Sequence, residues 1–186
     1  EVLLSNAADG SVQHIFTDTD DAWVDANEDV KWLENGKYFT WLSERDGWRH
    51  LYRISRDGKD VRLVTPGEFD IIKVDQIDTA NGWVYYTASP DDNTARYLFR
   101  SPLSGEPKAE RLTPDSEPGF HEYDIATNSE WAFHKFSTLS KPPTTDIVSL
   151  PGHASQRIIV DNEKVEKLLL STPRVETEFF KVDIGD

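Results

Sequence analysis

A repeat of about 47 residues, present in three copies, constrains this chain more than any other feature of its sequence. The first copy runs Gly36-Lys-Tyr-Phe-Thr-Trp-Leu-Ser43, Arg49-His-Leu-Tyr-Arg53 and Arg62-Leu-Val-Thr-Pro66. The second runs Gly82-Trp-Val-Tyr-Tyr-Thr-Ala-Ser89, Arg96-Tyr-Leu-Phe-Arg100 and Arg111-Leu-Thr-Pro114. Ser43 and Ser89 stand 46 apart, Arg49 and Arg96 stand 47 apart, and Pro66 and Pro114 stand 48 apart. A looser third copy runs Ser129-Glu-Trp-Ala-Phe-His-Lys-Phe-Ser137, Asp146-Ile-Val-Ser-Leu150 and Arg157-Ile-Ile-Val160. Each copy holds three or four short apolar runs split by turn residues, with Asn35-Gly36, Asp57-Gly58 and Asn81-Gly82 placed where hairpins need positive φ. A unit of several short strands recurring at this period reads as the blade of a β-propeller.

Side-chain alternation supports this strand by strand. Tyr38, Thr40 and Leu42 share one face of the first strong strand, and Phe39 and Trp41 share the other. Trp83 and Tyr85 oppose Val84 and Tyr86 in the same way. A sheet wet on one side would alternate apolar and polar residues. These strands are apolar or aromatic on both faces, as a sheet stacked between two neighbours requires. In the following strands Arg49, Leu51 and Arg53 face away from His50 and Tyr52, and Arg96, Leu98 and Arg100 face away from Tyr97 and Phe99. A β-sandwich also gives short, evenly spaced strands, but it gives no reason for matched positions at a fixed period. The expected fold class is therefore all-β: a partial propeller of about three and a half four-stranded blades, with a short helix near the C-terminus.

The ends extend the pattern. Thr17 stands 48 before Thr65, which stands 48 before Thr113, so residues 1–20 read as the back half of a blade. Whole blades are expected at about 28–66, 69–114 and 120–160. Asn162 to Leu170 places Val165, Leu168 and Leu169 on one helical face, with Asp161 as a cap and Pro173 as a stop. A further strand is expected over Val175 to Ile184. The chain has neither an initiating Met nor a signal-like start, and we expect a piece of a longer protein whose first and last units present apolar faces.

Charge narrows the partners. The 34 acidic residues outnumber the 20 basic ones, for a net charge of −14. That argues against a nucleic-acid partner, whose phosphates need a basic surface, and against docking on anionic lipid. Without cysteine there is no disulfide framework and no thiol chemistry. No cofactor is expected.

No residue earns a catalytic or metal-ligating assignment from its spacing. A Gly-x-Ser-x-Gly elbow is absent from the 186 residues. His14, His50, His121, His134 and His153 read as scattered, without the close pairs that bind metal. His50 reads as a packed, hydrogen-bonded histidine, because Tyr97 takes its position in the next copy. The acidic run Asp18, Asp20, Asp21, Asp25, Glu28 and Asp29 lacks the glycine and closing glutamate of a calcium loop and reads as a solvated connection. Arg49 reads as an internal anchor that bonds carbonyls or a carboxylate at a blade edge.

Four stretches carry a family resemblance: Trp23-Val24, Asp46-Gly-Trp-Arg-His-Leu-Tyr-Arg53, Leu63-Val-Thr-Pro-Gly67 and Arg174-Val-Glu-Thr-Glu-Phe-Phe180. Together they resemble the propeller of the dipeptidyl peptidase IV family and its crossover into the catalytic domain. The resemblance implies an eight-bladed propeller over an α/β-hydrolase with a Ser, Asp, His triad, in an enzyme that removes N-terminal dipeptides ending in Pro or Ala. It implies that 1–172 is propeller and 173–186 the start of the crossover, with the amine-binding glutamate pair upstream of residue 1 and the triad downstream of residue 186. The implied partners are a peptide substrate and the parent's own hydrolase domain. An extracytoplasmic location follows, and a homodimeric parent is admitted. In the family, the segment after the Trp-Val pair reaches the substrate cavity with an aromatic residue and an arginine. Here it reads Asp25-Ala-Asn-Glu-Asp29, which matches neither, so substrate-binding residues stay unassigned. The alternatives are a related prolyl tripeptidyl or acylaminoacyl peptidase and a non-enzymatic propeller that binds protein or glycan.

Overall fold

The computed structural model describes residues 1–25, 29–173, 177–180 and 182–185. It opens with a two-stranded hairpin, β1 (Val2–Ser5) and β2 (Val12–Phe16). Three four-stranded antiparallel sheets follow, each a plain meander. The first holds β3 (Trp32–Leu33), β4 (Tyr38–Ser43), β5 (His50–Ser55) and β6 (Val61–Leu63). The second holds β7 (Ile71–Asp78), β8 (Trp83–Ala88), β9 (Tyr97–Pro102) and β10 (Glu110–Arg111). The third holds β11 (Phe120–Ile125), β12 (Trp131–Ser137), β13 (Thr144–Ser149) and β14 (Ala154–Val160). One helix, α1 (Glu163–Leu170), comes after them. This is a partial β-propeller.

The cores lie between consecutive units, because each sheet has two apolar faces to hide. Ile15 and Phe16 of the hairpin pack on Phe39, Trp41, Tyr52 and Ile54 of the first sheet. Leu33, Leu51 and Val64 on the other side meet Ile71, Val84 and Tyr86 of the second. Tyr85 and Leu98 then meet Tyr123, Ala132 and Val148 of the third. Odd and even residues of β8 therefore serve different cores, as the alternation predicts.

Hydrogen bonds repeat with the sequence. The Thr65 hydroxyl accepts from Leu51 N at 2.9 Å, and the Thr113 hydroxyl accepts from Leu98 N at 2.8 Å. Each threonine lies just past its unit's last strand and satisfies a buried donor in the third. The Asp57-Gly58 turn fixes the hairpin to the first sheet. Gly58 adopts φ 73°, and a Cβ there would fall 1.6 Å from the Ile15 carbonyl oxygen, so no other residue fits.

Among the described residues the third sheet packs on one side only. Trp131 is 42 % exposed and Phe133 52 % exposed on its far face. Helix α1 starts one residue later than the apolar pattern suggests. Asn162 takes a left-handed conformation before it, and Asp161 Oδ1 accepts from Glu163 N at 3.2 Å. None of its residues is buried. The strand expected over Val175 to Ile184 is not formed by residues 177–180 and 182–185, while Val175, Glu176 and Lys181 lie outside the described residues. An apolar sequence becomes a strand only beside a partner that completes its ladder, and here Phe180, Val182 and Ile184 stand exposed.

Two-sided burial has a direct test. Trp41→Asp and Tyr86→Asp each place a charge in a different inter-sheet core, at a cost of roughly 3–5 kcal/mol. Both variants should lose the cooperative thermal transition, whereas Glu44→Lys, at an exposed position, should melt like the parent. A parental melt for either aspartate variant would disprove stacking on that face.

Candidate functional site

The connection from β2 to β3 carries most of the acidic residues singled out in the sequence, and the structure divides them by role. Asp18 is structural: its side chain is only 8 % exposed. It accepts from Trp41 Nε1 at 2.8 Å, Ser43 Oγ at 2.8 Å and Arg45 Nη2 at 3.0 Å. Burial pushes its pKa up, but these three donors outweigh burial and hold the carboxyl below its ordinary value. The Arg45 guanidinium is itself held over the Phe16 and Tyr52 rings. The sequence reading of a solvated connection is therefore wrong for Asp18, because its partners come from β4 and the turn after it, more than twenty residues away. It holds for Asp20, Asp21, Asp25 and Asp29, which are exposed, while Glu28 lies outside the described residues.

Asp20 accepts from Ala22 N and Trp23 N, which turns the chain so that the exposed Trp23 indole donates to Asp25 Oδ1 at 2.8 Å. The result is a cleft of about 390 Å³ with Asp18, Trp23, Asp25, Leu42, Arg45 and Arg49 in its wall. Among the described residues no group of three or more acidic or histidine side chains could hold a metal ion. Chemically the cleft offers an exposed indole, exposed carboxylates and two guanidinium groups, a set suited to a polar or cationic ligand with an apolar part.

Arg49, just before β5, lines this cleft, and His50 opens β5 beside it. Arg49 Nη1 donates to the Ile71 carbonyl at 2.7 Å and to that of Ile72 at 3.3 Å, so it is the anchor between sheets that its position suggests. His50 is packed, with Nδ1 2.9 Å from Asp46 Oδ2. Burial raises the Asp46 pKa, but the bond from His50 and others outweigh it and the net shift is downward. His14 is exposed and reaches only Thr17.

The histidines are not scattered. His121, His134 and His153 converge between the second and third sheets. The register explains it: Tyr123 pairs with His134, and His134 with Asp146 across the next strand. His121 lies two residues before Tyr123 and shares its face. His121 Nδ1 is 2.8 Å from His134 Nε2, and His134 Nδ1 is 2.9 Å from Asp146 Oδ1. The Tyr123 hydroxyl reaches His153 Nε2 at 2.7 Å and Thr113 at 2.8 Å. Burial pushes His121 and His153 down to about 4 and lowers His134 too, the last against the bond to Asp146. The usable signal was the alternation His121-x-Tyr123 and His134-x-Phe136 in two consecutive strands.

Stacked four-stranded meanders of this kind define the class as a propeller segment, and comparison with known proteins gives the family. The family described as the dipeptidyl peptidase IV (DPP IV) N-terminal region matches residues 1–143. The chain belongs to that family. A probable dipeptidyl-aminopeptidase B of Emericella nidulans is 26 % identical over 165 residues, covering 83 % of this chain and 18 % of the relative. A probable dipeptidyl peptidase 4 of the same organism is 25 % identical over 182 residues, covering 90 % of this chain and 22 % of the relative. The crystal structure of Porphyromonas gingivalis dipeptidyl peptidase 4 superposes with a TM-score of 0.65 at 23 % identity, covering 75 % of this chain and 19 % of that one. The chain thus spans about a fifth of the length of these relatives.

The Asp18 hub makes a pH-dependent prediction. Asp18→Asn keeps the shape but turns an amide donor toward other donors, and should cost roughly 1.5–3 kcal/mol at neutral pH. Because the folded pKa lies below the ordinary 3.8, the stabilisation is present above that value and is lost as pH falls through the folded one. Urea unfolding of the two proteins should therefore differ at pH 7 and converge in strong acid. Equal stability at pH 7 would show that the hub contributes nothing.

Proposed function

We propose that this chain is the C-terminal part of the propeller of a serine exopeptidase that removes X-Pro or X-Ala dipeptides from peptide N-termini. The observation that carries the reading is the family match over residues 1–143, which falls on consecutive meander sheets built at the sequence period. In this reading the propeller gates access to the reaction chamber and shapes the space around the substrate's N-terminal side. Acyl transfer belongs to a Ser-His-Asp triad in an α/β-hydrolase domain beyond residue 186. Residues 173–186 lead into that domain. The exposed apolar residues of α1 and the tail, Leu168, Phe180 and Ile184 among them, are surface of the kind a neighbouring domain covers. A homodimeric parent and an extracytoplasmic location accompany the reading. Among the described residues no helix is long and apolar enough to cross a membrane.

The 186-residue chain should release no chromophore from Gly-Pro or Ala-Pro nitroanilides, since losing a triad removes most of the catalysis, on the order of a million-fold. The parent reading frame, expressed whole, should cleave both and be silenced by a serine-directed inhibitor. Inhibitor-sensitive turnover by the isolated chain, or an intact parent without dipeptidyl activity, would overturn the proposal.

A further inference from the structure

At the seam between the second and third sheets, three hydrogen bonds in series need one more proton than their imidazoles hold when neutral. Asp146 Oδ1 lies 2.9 Å from His134 Nδ1, His134 Nε2 lies 2.8 Å from His121 Nδ1, and His121 Nε2 lies 2.8 Å from the Glu117 carbonyl oxygen. The His121 and His134 rings are within 8° of parallel at a centroid separation of 5.0 Å, which is the spacing of two rings meeting nitrogen to nitrogen in one plane. Both ends of the series, a carboxylate and a carbonyl, are acceptors. Each gap takes one hydrogen, and two neutral imidazoles supply two. If His134 donates to Asp146, then His134 Nε2 must accept from His121 Nδ1. His121 Nε2 then faces the Glu117 carbonyl, lone pair to lone pair. Changing tautomers moves this defect to another gap but does not remove it.

One added proton fills every gap. It also brings the Asp146–His134–His121 set from a net negative charge to neutrality, which a buried site favours. We infer that His121 and His134 bind one proton as a unit against the Asp146 carboxylate, and that its binding ties the turn at residues 114–119, through the Glu117 carbonyl, to strand β11. His153 lies outside this count, since the Tyr123 hydroxyl can donate to its Nε2 while accepting from Thr113, which leaves no gap unfilled.

The groups around the series act in both directions. The Glu117 carboxylate favours charge on His134, and Asp75 of β7 adds negative charge from the second sheet at Tyr123. Arg111 of β10 and His153 oppose charge on His121, and Lys141 lies over the neighbouring Phe136 ring. Burial opposes it most, so uptake falls below the ordinary imidazole value of 6.5. Asp146 keeps 21 % of its side chain exposed and borders a cleft of about 420 Å³, which gives the proton an entry from solvent.

The test is a titration of the ¹⁵N-histidine-labelled chain from about pH 8 to about pH 3, read by ring nitrogen shifts. His121 and His134 should move with one common midpoint. Amide exchange at Glu117 and at residues 119–121 should slow over the same interval by more than the falling hydroxide concentration alone slows it, and His153 should follow a separate curve. Asp146→Asn should lower the common midpoint by about one pH unit or more, by removing the opposite charge. His134→Gln should leave His121 titrating at a different pH. Separate midpoints for His121 and His134 in the parent chain, or a His121 curve that ignores Asp146→Asn, would overturn the proposal. The parent titration decides the matter even where a variant fails to fold.

Discussion

The stack depends on one backbone connection made twice. Ile71 N donates to the Arg49 carbonyl at 2.9 Å, and His121 N donates to the Arg96 carbonyl at 3.3 Å. In each case the first strand of a new sheet is fastened to the residue just before the third strand of the preceding sheet. That bond fixes the stagger of each new sheet on the one before it, with the apolar faces in contact beside it. Arg49 reinforces its own junction from the side chain, through the Ile71 and Ile72 carbonyls. Arg96 does not repeat this; its guanidinium lies over the Phe120 ring at 4.4 Å, and its N–H donates to the Gly119 carbonyl instead. A single blade could not hide both of its apolar faces, so the stability of each unit belongs largely to its neighbours.

What could be read from the sequence follows from this. The period, the two-faced strands of β4 and β8, the anchor role of Arg49 and the packing of His50 depend on local alternation and on copies of the same unit. Those are properties a single sequence displays. Asp18 was not legible, since a carboxylate in a loop looks solvated until Trp41, Ser43 and Arg45 are brought to it. The histidine cluster was hidden for a similar reason. His121, His134 and His153 are far apart in the chain, and strand register alone makes them neighbours. The tail failed in the opposite direction. Phe179, Phe180, Val182 and Ile184 have the composition of a strand, but a strand is a relation between two segments and no partner ladder is supplied to the described residues.

Register also shows what the histidine series replaces. Trp41 pairs with Tyr52 in the first sheet, Tyr86 with Phe99 in the second, and His134 with Asp146 in the third. His121, the residue tied to Arg96, stands where Ile71 is tied to Arg49. One seam is thus filled by Ile71, Tyr86 and Phe99, with the last two rings stacked at 5.8 Å. The next is filled at the same places by His121, His134 and Asp146. The three places match in register although β7 carries two bulges that β11 lacks, and the apolar filling of the first seam shows that the places themselves do not demand polar groups. An apolar filling is insensitive to solution conditions, whereas a buried hydrogen-bonded series is stable only with its full count of protons. Two seams built on one frame therefore differ in kind: the first fixes the stack, and the second makes the order of the 114–119 turn depend on pH.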